Sequence, residues 1–240
     1  PLKNIGPAEL DWVIVRENTE GEYSGAGGRV HPKLPQEVGI DVSVFTRDGI
    51  ERVMRYAFEL ALTRPKKQLT LVTKSNAQRH GMVLWDEVFE KLKHVYPGIT
   101  TDRMLVDAIT TRMVLQPQSL DTIVATNLHA DILSDLAAAL SGSLGIGPTA
   151  NINPERTFPS MFEPIHGSAF DLVGKDLANP LGAFWSCVMM LEHLQENKGA
   201  SLLMSAIEEV CQEGRHLPKD LGGNSCTGEV TTAVCAALKK

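Results

Sequence analysis

With 240 residues, 43% of them hydrophobic, the chain can bury a sizeable core as one large domain or two small ones, which excludes disorder. Its 29 acidic and 23 basic residues give a net charge of -6 without long runs, so it lacks the basic stripe that a nucleic-acid surface needs. No stretch reaches the roughly 18 continuous apolar residues of a membrane span and no signal-peptide pattern opens the chain, which reads as a cytoplasmic protein.

Residues 12–15 form a short apolar run followed by the acid-rich stretch 16–23, the pattern of a strand delivering a loop. An interior-looking strand so soon after Pro1 suggests a piece of a longer natural chain. Residues 25–45 join turn formers (Gly27-Gly28, Pro32, Pro35) to alternating Val38, Ile40, Val42 and Val44, which predicts an extended arm or hairpin of the kind that clasps a partner subunit. Ile50, Val53, Met54, Ala57, Phe58, Ala61 and Leu62 recur at three and four, predicting an amphipathic helix that ends near Arg64-Pro65. A strand over 69–73, a helix over 82–92 and strands over 104–107 and 122–126 follow, then a helix from about 130 to 140. Strands alternating with helices argue for an α/β fold. The Gly/Pro/Asn-rich stretch 142–159 marks a hinge between domains 1–142 and 143–240, and helical patterns over 181–194, 201–211 and 227–238 close the chain. Cys187, Cys211, Cys226 and Cys235 follow no metal-ligand spacing and read as buried thiols in a reducing compartment.

Asp131 and Asp135 are the most informative pair. Four apart on a helix, their Cβ atoms stand about 5 to 6 Å apart on one face, close enough to grip one hard divalent cation. Alone, Asp131 reads equally as a helix cap or first-turn acid and Asp135 as a solvated one. Other polar residues fall at predicted strand ends: Arg16 and Tyr23 after the first, Lys74 and Asn76 after the second, Asp107 after the third. Open α/β sheets bind ligands beyond the carboxyl ends of their strands.

Four motifs carry a resemblance over essentially the whole chain: Arg16-Glu17-Asn18-Thr19-Glu20-Gly21-Glu22-Tyr23, Thr73-Lys74-Ser75-Asn76, Asp131-Ile132-Leu133-Ser134-Asp135, and Phe162-Glu163-Pro164-Ile165-His166-Gly167-Ser168-Ala169. In this order they resemble the metal-dependent β-decarboxylating dehydrogenases of 2-hydroxy acids, which comprise isopropylmalate, isocitrate, and tartrate or D-malate dehydrogenases. Residues 153–160 resemble the tartrate/D-malate branch best, while the loop 16–23 is shared with NAD-linked isocitrate dehydrogenases.

The resemblance implies an isopropylmalate dehydrogenase-like two-domain α/β fold, a homodimer clasped by the arm, and oxidation of a hydroxy dicarboxylate with NAD and Mg2+ or Mn2+. It implies metal ligation by Asp131 and Asp135 with Asp107 from the neighbouring subunit. Lys74, also lent across the dimer, would be the general base, because a bound dication beside a lysine favours its neutral form. Tyr23 would be the acid and Arg16 the grip on a substrate carboxylate. Cofactor-binding positions would be Asn76, Glu163, His166, Gly167, Ser168, Ala169, Asp171 and Asn179. A carboxylate at Asp171 accepts from ribose hydroxyls and repels a 2'-phosphate, which favours NAD over NADP.

Some features depart from the family. Its enzymes begin with a segment that this sequence does not contain, so the cofactor domain is expected to lack its N-terminal part. His129-Ala130 replaces the usual Phe-Gly, with His129 expected to face solvent or start the helix. Phe170 stands where the family has proline, freeing the loop from a fixed φ. The alternatives are an isocitrate or isopropylmalate dehydrogenase, and a noncatalytic regulatory or truncated paralogue.

Overall fold

The computed structural model describes residues 5–6 and 9–239. The chain divides into two compact units, one ending at Ala137 and the other beginning at Ala138.

The first unit is built on a parallel sheet of β1 (Val13–Arg16), β4 (Gln68–Thr73), β5 (Thr100–Leu105) and β6 (Thr122–Ala125), in the order β1-β6-β4-β5. Consecutive residues Leu69, Thr70, Leu71 and Val72 of β4 are buried, as is all of β6, because both faces of a parallel sheet are covered. The chain passes outward from β4 through α2 (Gly81–Lys93) to β5, then returns through α3 (Val106–Leu115) to lay β6 on the other side of β4. The order therefore reverses beside β4, and every strand ends at one edge of the sheet, the place where such sheets hold ligands.

Helix α1 (Arg47–Thr63) starts where Thr46 accepts a hydrogen bond from Gly49 N and stops at Arg64, before Pro65. Its inward stripe, including Ile50, Met54, Ala57, Phe58 and Ala61, joins Trp85 and Phe89 of α2 in the core. Phe58 stacks on Phe89 at 5.5 Å and on Tyr96 at 4.9 Å between ring centroids.

The arm is an antiparallel ribbon of β2 (Gly21–Val30) and β3 (Val38–Val44), a sheet of its own in which Val38, Ile40, Val42 and Val44 remain exposed. The second unit holds the antiparallel pair β7 (Pro148–Asn151) and β8 (Met161–Pro164). Its helices α5 (Leu181–His193), α6 (Asn197–Glu213) and α7 (Thr227–Ala237) close on Leu181, Val188, Ile207, Val210, Val230 and Val234. No helix among the described residues is long and apolar enough to cross a membrane.

Several elements correct the sequence reading. The strand expected over 104–107 ends at Leu105, and Asp107 lies in the first turn of α3, whose inward side buries Ile109 and Met113. Helix α4 (Asn127–Ser141) begins three residues before the expected start, which places Asp131 beyond the first turn rather than at a cap. Strand β7 forms inside a stretch whose composition suggested only a connection and pairs with β8 just beyond it, with Asn153 Oδ1 accepting from Thr157 N and Phe158 N to fold the turn between the strands. Cys187, Cys211 and Cys235 are exposed rather than buried, on the outer sides of α5, α6 and α7, and all four cysteines are free.

Candidate active site

Arg16 is the last residue of β1, Lys74 follows β4, Asp107 follows β5, and Asn127 opens α4 just after β6. Parallel pairing brings all four to the same edge of the first unit's sheet.

The guanidinium of Arg16 is held on three sides. Nε and Nη2 donate to Asn127 Oδ1 at 3.0 and 2.7 Å, Nη1 donates to Asp131 Oδ1 at 2.6 Å, and the ring centroid of Tyr23 lies 5.6 Å from its central carbon. The Tyr23 hydroxyl donates to Asp131 Oδ2 at 3.1 Å. That hydrogen bond, followed by the charge of Asp131, holds the phenol above its usual range, and the charge of Asp135 pushes the same way. Both carboxylates of α4 thus act on one phenol, which is itself 57% exposed and open to a ligand. Two aspartates one helical turn apart offer only oxygen, a donor set that fits Mg2+ or Mn2+ better than zinc.

Lys74 Nζ donates to Asp107 Oδ1, and this contact first of all holds the Asp107 carboxyl below its usual range. Among the described residues no three His, Cys, Asp or Glu side chains gather in a metal-holding group within the chain. Asp107, Asp131 and Asp135 therefore do not form a three-carboxylate cage within the chain.

Three residues matter here that sequence reasoning passed over or misplaced. Buried Asn127 anchors Arg16, and its Nδ2 donates to the main-chain oxygen of Glu20 at 3.2 Å. Read from sequence, an asparagine before a helix signals only a cap. Glu17 is buried, with Thr19 N and Oγ1 and Glu20 N donating to its carboxylate and Arg52 3.6 Å away, and so shapes the loop between Arg16 and Tyr23. His129 starts the helix, one of the two expected readings, in the first turn of α4, but it is only 7% exposed and so does not face solvent. The earlier start of α4 turns it inward with Ala130 and Leu133. Its Nδ1 and the nearby Glu22 Oε2 are buried without a partner, and burial lowers the imidazole's proton affinity.

In the second unit, Glu163 lies in β8 and leads into the run His166, Gly167, Ser168, Ala169. Gly167 has φ 67 and Ala169 φ 39, a left-handed pair that bends the chain into an exposed loop, with glycine free of strain and alanine not. His166 Nδ1 lies 2.9 Å from Gly167 O, Phe170 is 84% exposed, and Asp171 sits exposed in the turn Phe170–Leu172. The amide of Asn179 is committed to the fold at both ends: Oδ1 accepts from Leu181 N at 2.9 Å and Nδ2 donates to Asp220 Oδ2 at 2.8 Å. Asn76 lies exposed in the turn after β4, in the first unit.

The chain is 65% identical over 238 residues to a probable tartrate dehydrogenase/decarboxylase of Agrobacterium vitis, covering 99% of this chain and 66% of the relative. It is 49% identical to the decarboxylating D-malate dehydrogenase of Escherichia coli K12, covering 99% of this chain and 67% of that protein. The crystal structure of isocitrate dehydrogenase from Methylococcus capsulatus superposes with a TM-score of 0.89 at 39% identity, covering 95% of this chain and 67% of that one. The chain thus spans about two thirds of the length of the relatives it matches, 65 to 66% for the Agrobacterium proteins. The isocitrate/isopropylmalate dehydrogenase profile matches residues 1–236, and the chain belongs to that family.

Proposed function

We propose that the protein oxidises a 2-hydroxy dicarboxylic acid of the tartrate or D-malate type with NAD, assisted by Mg2+ or Mn2+, with or without loss of the β-carboxylate as CO2. The observation that carries this reading is the convergence of Arg16, Tyr23, Asp131 and Asp135 at the sheet edge. The names of the relatives at 65% and 49% identity favour tartrate or D-malate over the isocitrate of the structural neighbour at 39%.

Asp131 and Asp135 would hold the cation, with Asp107 of a second copy completing the set. When bound, the cation supplies polarisation of the C2 oxygen and NAD supplies the hydride acceptor. Arg16 would grip a substrate carboxylate with its planar fork. Lys74 would take the proton of the C2 hydroxyl, and Tyr23 would return a proton to the carbon left when CO2 departs. The loop of His166, Gly167, Ser168 and Ala169, with Glu163, would take the cofactor. The exposed carboxylate of Asp171 favours NAD over a 2'-phosphorylated nucleotide.

A homodimer is supported by the exposed apolar row of the arm and by the absence, among the described residues, of a three-carboxylate group within one chain. Four free thiols fit the reducing cytoplasm. The test is NADH production with Mn2+ over tartrate, D-malate, isocitrate and isopropylmalate, using the full natural chain. Turnover on tartrate or D-malate above the other two is the expected result, and silence on all four would remove the reading.

A further inference from the structure

We infer that Asn127 is a positioning residue for substrate binding: it fixes which edge of the Arg16 guanidinium faces the substrate while leaving that guanidinium its full charge. This inference rests on the hydroxy-acid reading above. Asn127 is 3% exposed, and the donation from its Nδ2 to Glu20 O at 3.2 Å decides its orientation, so Oδ1 must face Arg16. That single oxygen accepts from Nε at 3.0 Å and Nη2 at 2.7 Å and so closes one edge of the fork. The remaining edge, between Nη1 and Nη2, is the one that can meet a carboxylate with two parallel hydrogen bonds. Nη1 lies on Asp131 at 2.6 Å, and a cation claiming that carboxylate would free it for the substrate.

The choice of amide over acid matters. An aspartate at 127 would make an ion pair with Arg16, cancel the charge meant for the substrate, and set its carboxylate against the oxygen of Glu20. An alanine would leave the guanidinium free to turn onto Asp131. Both changes weaken capture of the substrate more than the chemistry that follows, because the residue acts through Arg16 and touches no reacting atom.

The test is a double-mutant cycle on the full natural chain, measuring kcat and KM for the best of the four acids in wild type, Asn127→Ala, Asn127→Asp, Arg16→Ala and Asn127→Ala with Arg16→Ala. Either change at 127 is expected to raise KM about tenfold or more, the scale of a hydrogen bond to a charged group, with a far smaller change in kcat. In the Arg16→Ala background the change at 127 is expected to have no further effect. An unaltered KM in Asn127→Asp, or an equal Asn127→Ala effect with and without Arg16, overturns the inference. Should Asn127→Ala fail to fold, Asn127→Asp, which keeps the shape and the acceptor, decides alone. A wild-type protein silent on all four acids sinks both the functional reading and this inference, whereas turnover with an unchanged KM sinks the inference only.

Discussion

Asp121 is 1% exposed, and its Oδ1 accepts from Arg64 Nε at 2.5 Å beside a side chain that is itself mostly buried. Arg64 Nη2 also meets Asp11 Oδ1 at 3.0 Å, so Asp121→Ala removes one of two acidic partners and is expected to cost about 1.5 to 3 kcal/mol, the scale of a hydrogen bond to a charged group, read as a lower urea midpoint at unchanged slope. His129 makes the opposite case. Burial depresses its imidazole below the ordinary 6.5, so below that pH the unfolded chain binds a proton that the folded one resists. The stability from this group is full above 6.5 and is lost as pH falls through the folded value. His129→Phe removes that loss together with the unpartnered Nδ1, and its melting temperature should fall less between pH 7 and 5 than that of wild type. Equal falls in the two proteins would refute the assignment. At this scale the sequence was informative about residue types and poor about partners. Asp131, Tyr23 and Arg16 were legible as candidates because their motifs are local. The inward turn of His129 and the grip of Asn127 were not, since both depend on where α4 begins and on what lies across the sheet.

The arm shows what an element's pattern can carry. Alternation of Val38, Ile40, Val42 and Val44 predicted an extended ribbon, and β2 and β3 form one. A two-stranded ribbon alone is marginal in water, so its exposed apolar row argues for a covering surface in a second copy. A Cβ on Gly27 would strike the main-chain oxygen of Ile40 across the ribbon, whereas a Cβ on Gly28 would meet nothing within 4 Å. Gly27→Ala is therefore expected to open the ribbon and shift sedimentation from dimer toward monomer, with Gly28→Ala unchanged. A dimeric Gly27→Ala would separate the arm from assembly. Helices α1, α2, α5, α6 and α7 were legible from their apolar spacing, because each buries one continuous stripe, and α4 was legible but for its first three residues. Helix α3 was not: only Ile109 and Met113 face fully inward, too few to set a period against the strand signal before them.

For the whole molecule the proposed site, shared between two copies, turns on which copy would supply Asp107 and Lys74. Their contact with each other, and the lack of a three-carboxylate group among the described residues, suit the proposed sharing of the site between subunits. Coexpression of Asp107→Ala and Asp131→Ala chains tests this. Each homodimer would be inactive, but a mixed dimer would hold one intact site of two, restoring about a quarter of wild-type activity in a random mixture. No recovery would place all three aspartates in one chain's site.

By itself the sequence determined the α/β class, the arm, six of the seven α-helices described, and the family through four short motifs. These are local properties, since periodicity and motif spacing are written within a few residues of chain. Only the tertiary structure decided that the strand order reverses beside β4, that β7 and β8 pair, that Lys74 meets Asp107, and that Arg16 reaches an asparagine 111 residues away. Such meetings follow from how strands are ordered and how both faces of a parallel sheet are covered, and no window of sequence contains both partners.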